Sequence, residues 1–230
     1  MSHGASLSQG TGASDVGFAL PALLARTVAA RTPYAHWLLN DVLPASACDA
    51  LEEWDPGAQA IAGDVEGRRE TRNAHRVFVN AETRARDPRL DSLAHAFDSE
   101  TMRSAFEQSC GIALDTAALR LELCLDTDGF WLAPHTDIGA KKLTLLVSLS
   151  RGAESADWGT DLMTQEGESV VRAPGAFNSA VLFIPADNTW HGFVRRPISG
   201  VRRTLIVNFV DDSWRAVHEL AFGPRTGTRH

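Results

Sequence analysis

The sequence predicts an α+β protein in which an N-terminal helical layer packs on a C-terminal β-sandwich or β-barrel. Two observations support this prediction. Apolar residues recur at helical spacing in the first half of the chain, whereas from residue 114 onward short β-rich runs follow one another without intervening helices. Turns rich in Gly, Asp, Asn and Pro separate those runs, as they do in sandwiches and barrels.

Length and composition fit one folded domain. The chain has 230 residues, of which 44% are hydrophobic and 22% are charged, and these are ordinary values for a globular protein. Residues 1–15 are rich in Gly, Ser and Thr, so we expect a flexible leader there. A single domain is then expected over residues 16–230, with its β-core at about 115–212.

Net charge, hydropathy and cysteine content exclude some kinds of partner and indicate a cellular compartment. The formal net charge is −7, which argues against nucleic acid as the main partner. No apolar run approaches the ~20 residues of a membrane-spanning helix, so no membrane partner is expected. Three widely spaced cysteines, Cys48, Cys110 and Cys124, form no Cys-x-x-Cys motif. They predict buried thiols in a reducing compartment, and we expect a cytoplasmic protein.

The first half of the chain is predicted to alternate between helices and two strands. Helical spacing indicates helices over 16–30, 46–54 and 88–110, the last of which would end at Gly111. Strand-like runs are predicted over 34–43 and at the end of 68–80.

The second half is predicted to be a succession of short strands. They lie at 119–125, 143–150, 169–173, 181–185 and 204–210, and one short helix after Asp212 closes the chain.

One pair of residues is a candidate for metal binding. Among eight histidines, only His135 has a carboxylate two positions later, at Asp137. Chance alone predicts about one such match, so a turn histidine beside a turn-capping aspartate explains the pair equally well. Residues i and i+2 on a strand point the same way, however, so both side chains can face one ion.

A third candidate ligand strengthens the metal interpretation. His191 follows a strand and a turn, and in a barrel of short strands it can converge on the same point as His135 and Asp137. Two imidazoles and one carboxylate leave three adjacent positions open on an octahedral metal. That arrangement suits Fe(II) and O₂ chemistry.

A second candidate site lies on the strand at 204–210 and its N-terminal extension. Alternation places Arg202 and Thr204 on one face of this strand and Arg203 on the other. An arginine on an apolar strand is costly to bury without a partner, and a guanidinium beside a hydroxyl matches a carboxylate. Arg202 and Thr204 are therefore candidates to bind a small carboxylate, whereas a solvated edge-strand arginine is the alternative, above all for Arg203.

Together these features resemble the Fe(II)/2-oxoglutarate-dependent oxygenases, and in particular their prolyl-hydroxylase-like branch. The order of the His-Thr-Asp motif, the distal His191 and the strand arginine is that of the family. Segment 142–149 is similar to the branch's strand after the His-x-Asp turn, and segment 158–162 is similar to its Gly-Gly-Glu-Leu strand. Segment 181–193 is similar to the part of the branch that leads into the distal histidine. The matched region extends from about Leu119 to Asp211.

The resemblance implies a fold, a set of cofactors and an activity. The fold would be a double-stranded β-helix (jelly-roll) core with Fe(II) at its open end, held by His135, Asp137 and His191. 2-Oxoglutarate would chelate the iron through its C1 carboxylate and C2 oxo group, with Arg202 and Thr204 holding its C5 carboxylate. The implied reaction is O₂-dependent hydroxylation of a small molecule or metabolite, coupled to decarboxylation of 2-oxoglutarate to succinate, with ascorbate as an optional reductant.

Two features depart from the family pattern. Many relatives carry a tyrosine on the strand before His-x-Asp that also contacts 2-oxoglutarate, but Tyr34 is the only tyrosine of this chain and lies far from that strand. The adjacent arginines also leave Arg203 as an alternative to Arg202, although Arg202 gives the strand the length that the family pattern shows.

Two other functions remain open. One is a cupin-like metalloenzyme that uses no 2-oxoglutarate, in which Arg202 and Thr204 would be structural. The other is a non-enzymatic jelly-roll module that binds a sugar or a partner, for which no metal is expected.

Several further charged and aromatic residues allow either a structural or a functional interpretation. Four arginines at 68–76 form either a solvated face or a pocket wall that receives an anionic substrate; they are Arg68, Arg69, Arg72 and Arg76. Lys141 and Lys142 are interpreted as solvated charges at a strand end. Trp190 and Phe193, which flank His191, either pack in the core or wall the metal pocket.

Overall fold

Two antiparallel sheets and a layer of helices make up the protein, as seen in a computed structural model that describes residues 18–54 and 73–225. The larger sheet has six strands in the order β1-β8-β5-β10-β3-β2, and the smaller has four in the order β4-β9-β6-β7. The strands are β1 (His36–Asn40), β2 (Asn73–Phe78), β3 (Ala118–Asp126), β4 (Leu132–His135), β5 (Lys141–Ser148), β6 (Asp161–Met163), β7 (Ser169–Arg172), β8 (Ser179–Phe183), β9 (His191–Phe193) and β10 (Arg202–Val210). Sequential neighbours often lie in different sheets, as in a jelly roll.

The larger sheet has one apolar face and one polar face. Strands β3 and β10 pair antiparallel, with Leu205 opposite Leu123 and Val207 opposite Leu121. Because side chains alternate along a strand, these apolar pairs share one face, and they all belong to the main core cluster. The alternate residues of the same two strands form the other face; they are Arg120, Glu122, Cys124, Asp126, Arg202, Thr204, Ile206 and Asn208.

The helices cover the apolar face. They are α1 (Leu20–Arg26), α2 (Ala45–Glu53), α3 (Ala81–Arg86), α4 (Pro88–Asp98) and α5 (Glu100–Cys110). Leu51, Phe97 and Phe106 are fully buried and join the strand leucines in one core cluster. The ring of Phe106 meets that of Phe209 edge-on, with 5.9 Å between centroids. This layer confirms the predicted N-terminal helices packed on a jelly-roll core.

Several observed elements differ from the predicted ones, and α3 was not predicted. The helix predicted over 88–110 is two helices, because Ser99 adopts an extended conformation and its Oγ caps α5 by accepting from the Met102 amide. The predicted closing helix is reduced to one 3₁₀ turn at Val217–Glu219. Strands β4, β6 and β9 have three or four residues each, which is too short for alternation to reveal them. The predicted leader lies outside the described residues.

Two other findings bear on the expected compartment. None of the helices in the described ranges combines the length and apolar character needed to cross a bilayer. Cys48, Cys110 and Cys124 are unbridged thiols, two of them buried and Cys110 partly exposed.

Candidate active site

The three predicted metal ligands converge at one end of the smaller sheet. His135 ends β4, His191 begins β9, and the two residues are direct partners across the antiparallel ladder. Asp137 follows two residues after His135. One ligand atom from each of the three side chains lies within 4.8 Å of the others. The centroids of the two imidazole rings are 4.3 Å apart.

Gly192 allows the two ligand strands to approach each other. A Cβ at this position would lie 2.6 Å from the carbonyl oxygen of Leu132 and 3.2 Å from that of Ala133. Both contacts involve backbone on β4 or beside it, so no side-chain rotation could relieve them. The close approach that sets His191 opposite His135 therefore requires glycine here.

Hydrogen bonds orient both imidazoles for metal binding. The Nδ1 atom of His135 lies 2.9 Å from the Ala133 carbonyl oxygen, and that of His191 lies 3.0 Å from the Thr189 carbonyl oxygen. A carbonyl oxygen can only accept, so each Nδ1 carries the proton and each Nε2 carries the lone pair. Burial lowers the pKa of His191 to about 4, against a smaller opposing effect of the Asp137 charge. His191 is thus neutral at physiological pH, as a metal ligand must be.

Asp137 is held at both oxygens. Its Oδ1 accepts from the Lys141 ammonium at 2.6 Å, and its Oδ2 accepts from the Thr144 hydroxyl at 2.6 Å. Burial favours the neutral carboxyl, but the Lys141 charge and the hydrogen bonds from Lys141 and Thr144 outweigh it and lower the pKa of Asp137 to about 2. The side chain is therefore an ionised carboxylate.

Lys141 corrects a sequence interpretation. Its side chain is only 13% exposed and is ion-paired with Asp137, rather than solvated. Lys142 does match the expectation, because it is 45% exposed and pairs with Asp211 at the surface. The signal that could have separated the two lysines is the four-residue spacing of Lys141 from Asp137 across a tight turn.

A hydrogen-bonded chain behind Asp137 was not predicted. Thr144 accepts from the side-chain amide of Asn208 at 2.9 Å, and the Asn208 amide oxygen accepts from Arg120 at 3.3 Å. All three residues are buried on the polar face of the larger sheet. A buried asparagine inside an otherwise apolar strand is the sequence signal for this network.

Arg202 and Thr204 line the same cavity as the three ligands. The Nε of Arg202 donates to the Trp158 carbonyl oxygen at 2.7 Å, and its Nη1 donates to Asp126 at 2.6 Å. The guanidinium carbon also lies 4.6 Å from the ring centre of Phe193. Within residues 18–54 and 73–225, nothing accepts a hydrogen bond from its Nη2.

Arg203 points away from this cavity. It does not line the cavity wall, and its backbone amide donates to the Ser150 hydroxyl on β5's side of the strand. The alternation of β10 thus separates the two arginines as their sequence positions suggested.

Five apolar side chains also line the cavity, namely Phe130, Leu132, Leu146, Phe193 and Ile206. Phe193 is therefore a wall residue of the pocket. Trp190 does not line it; its carbonyl oxygen accepts from the Tyr34 hydroxyl at 3.1 Å.

Tyr34 stands behind the metal ligands. Its ring packs on Phe183, which in turn packs 4.9 Å from the His191 ring. Burial, together with the negative charge of Asp137, raises the pKa of Tyr34, so the phenol stays protonated. The single tyrosine thus packs behind His191 from the segment that precedes β1.

The structure describes only one of the four arginines at 68–76. Arg68, Arg69 and Arg72 fall outside the described residues, whereas Arg76 lies on β2 and is ion-paired with the buried Glu122 of β3. Arg76 thus already has a carboxylate partner.

Comparison with known proteins identifies the fold. In sequence, the chain matches no protein-family model and no curated protein. In structure, it is similar to a prolyl-4-hydroxylase of Pseudomonas putida, with a TM-score of 0.54, 17% identity, and coverage of 84% of this chain and 100% of that one. A viral collagen prolyl hydroxylase of Paramecium Bursaria Chlorella virus-1, solved with 2-oxoglutarate, gives a TM-score of 0.53, 15% identity, and coverage of 76% and 96%.

A third solved structure with the same fold contains a bound peptide fragment. It is a prolyl hydroxylase of Trichoplax adhaerens in complex with a hypoxia inducible factor peptide fragment, with a TM-score of 0.54, 14% identity, and coverage of 84% of this chain and 88% of that one. These likenesses show that the chain has the fold of prolyl hydroxylases, which confirms the jelly roll that the resemblance implied.

Proposed function

We propose that the protein is an Fe(II)- and 2-oxoglutarate-dependent oxygenase that hydroxylates a small molecule. The observation that supports this most directly is the convergence of His135, Asp137 and His191 within 4.8 Å, on a cavity that also contains Arg202. Two neutral imidazoles and one ionised carboxylate are the donor set that Fe(II) oxygenases use. Bound Fe(II) and 2-oxoglutarate would supply the activation of O₂.

Arg202 and Thr204 would bind the C5 carboxylate of 2-oxoglutarate. Arg202 is fixed before any ligand arrives, because the Trp158 carbonyl, Asp126 and the Phe193 ring each hold one part of its guanidinium. Such a preorganised guanidinium loses little conformational entropy on binding a carboxylate. The Thr204 hydroxyl lies on the same face of β10 and would donate the second hydrogen bond.

The remaining wall residues would shield the reacting centre. Phe130, Leu146 and Ile206 present no polar group to the cavity, so they would exclude water from the bound cosubstrate. Tyr34 and Phe183 would keep His191 in its ligand orientation.

The substrate class is part of the proposal. A small molecule suits a cavity walled by both sheets. A peptide is the second candidate, because one protein of the same fold was solved with a peptide fragment. The unbridged thiols support a reducing, cytoplasmic setting.

Metal binding tests the first part of the proposal. Wild-type protein should bind one Fe(II) per chain under anaerobic conditions, and His135→Ala and His191→Ala should each abolish stoichiometric binding. The surface variant His95→Ala is the matched control, because His95 is 63% exposed on α4. Wild-type binding in both ligand variants would exclude this site, whereas a wild-type protein that binds no metal would favour the non-enzymatic module.

Turnover tests the second part. A panel of small molecules and peptides, incubated with Fe(II), ascorbate and 2-oxoglutarate, should yield succinate with at least one member. A metal-loaded protein that neither binds 2-oxoglutarate nor forms succinate would favour the cupin-like alternative.

A further inference from the structure

Lys141 occupies an unusual place for a cation. Its ammonium nitrogen lies 2.6 Å from Oδ1 of Asp137, the carboxylate of the proposed metal site. Both side chains are largely buried, with 13% of Lys141 and 6% of Asp137 exposed. Lys141 also lines the cavity that holds His135 and His191. A positive charge therefore contacts one oxygen of the carboxylate that would bind a divalent metal.

The two cations cannot share the carboxylate without cost. Like charges repel strongly at short range in a buried site, where solvent screening is weak. The second oxygen of Asp137 does not create this conflict, because its donor, Thr144, is neutral. Lys141 is thus the one described group in contact with Asp137 that favours the metal-free state.

The burial of the pair also explains why Lys141 is needed in the metal-free protein. A buried carboxylate needs a counter-charge, because an unpaired buried charge is strongly destabilising. The ammonium group supplies that charge until a metal replaces it. The long lysine chain can then withdraw the ammonium into the cavity that it already lines.

We infer that Lys141 is a built-in competitor of the metal: it pairs with Asp137 in the metal-free protein and lowers the affinity of the site for divalent ions. This inference rests on the proposed metal site but concerns the strength of binding rather than its existence. Lys141 would act on metal binding through its ion pair with Asp137.

Titration with Mn(II) alone tests the inference, with binding followed by calorimetry. Lys141→Met removes the charge and keeps the length of the side chain, so Mn(II) should bind about tenfold more tightly, or better. Lys141→Arg keeps the charge and should bind as wild type does. Lys142→Met is the matched control, because Lys142 pairs with Asp211 at the surface, and its affinity should not change.

A second variant and a second measurement guard against a folding defect. Lys141→Gln keeps a hydrogen-bond donor for Asp137 without the charge, and should show the same tightening as Lys141→Met. In thermal melts, Mn(II) should raise the Tm of both uncharged variants by more than it raises that of wild type.

The outcomes separate this inference from the proposed function. If wild type binds Mn(II) and the uncharged variants bind it equally or more weakly, Lys141 only orients Asp137 and the competitor role is wrong. If neither wild type nor the uncharged variants bind Mn(II), the metal site itself is wrong and the inference falls with it.

Discussion

The two faces of the larger sheet are built by the same strands and have opposite characters. On β3 and β10, one set of alternate residues is apolar, fully buried and packed against the helices, as with Leu123 and Leu205. The other set carries charges and hydroxyls, such as Asp126, Arg202 and Thr204, and surrounds the cavity. Both sets are buried, so burial alone does not distinguish them.

Residues that stabilise the fold therefore alternate, along the same strand, with residues that line the cavity. The apolar face gains its free energy from area removed from water, which depends on shape and volume. The polar face contains ion pairs whose net contribution to folding is small, but whose partners must all be present. Substitutions on the two faces should therefore affect different measurements, and four predictions test this, in order of decreasing effect.

The largest effect is expected on the apolar face. Phe209→Ala removes a fully buried ring that packs on Phe106, so the free energy of unfolding should fall by about 3–5 kcal/mol. Urea unfolding measures this loss. The affinity for Mn(II) should stay within about twofold of wild type in the folded protein, and a parallel collapse of metal binding would show that the two faces are not separable.

The next effect concerns the cosubstrate. Arg202→Ala should weaken 2-oxoglutarate binding to the Mn(II)-loaded protein by about 2–4 kcal/mol, because a charge-assisted contact is lost. Calorimetry measures the change. Arg203→Ala is the matched control on the other face and should have little effect. An exchange of the two phenotypes would place the binding arginine one residue further along.

A third effect should appear as a pH dependence. An ordinary histidine takes up a proton as the pH falls through about 6.5, whereas His191 does so only near its lowered pKa of about 4. Between these values the unfolded chain binds more protons than the folded protein. The stability of the metal-free protein should therefore be complete above pH 6.5 and fall by up to about 3 kcal/mol towards pH 4.

Urea unfolding at a series of pH values measures this slope. His191→Gln should flatten it, whereas replacing the exposed His95 by Gln should not. A slope that is unchanged in His191→Gln would assign the dependence to other groups.

The smallest effect is expected behind the ligands. Thr144→Val removes the donor to Asp137, so Mn(II) should bind about tenfold more weakly, which is roughly 1.4 kcal/mol. Thr204→Val is the control, because Thr204 lines the cavity without bonding Asp137, and it should weaken 2-oxoglutarate rather than metal binding. Equal losses of metal affinity in both variants would point to a general disturbance of the polar face.

The sequence predicted those parts of the fold and site that follow from local periodicity. Alternation along 202–209 separated Arg202 from Arg203, and the spacing of His135 and Asp137 predicted that these two side chains lie close together. The pairing of Arg202 with Asp126 was beyond such reasoning, because it depends on the register between β10 and β3. Lys141 was misjudged for a related reason: a lysine at a strand end is usually solvated, and only the turn after Asp137 brings it inward.

The ladder pairing of His135 with His191 has a consequence for the choice of metal. Cross-strand partners are held close together by the pairing of their strands, and Gly192 permits the close approach of β4 and β9. Asp137, in contrast, lies beyond the end of β4, on backbone that no ladder restrains. The two imidazoles are thus held at a fixed spacing, whereas the position of the carboxylate can adjust. Divalent ions of different ionic radius should be accommodated by movement of Asp137, so the histidine spacing should confer little discrimination between them.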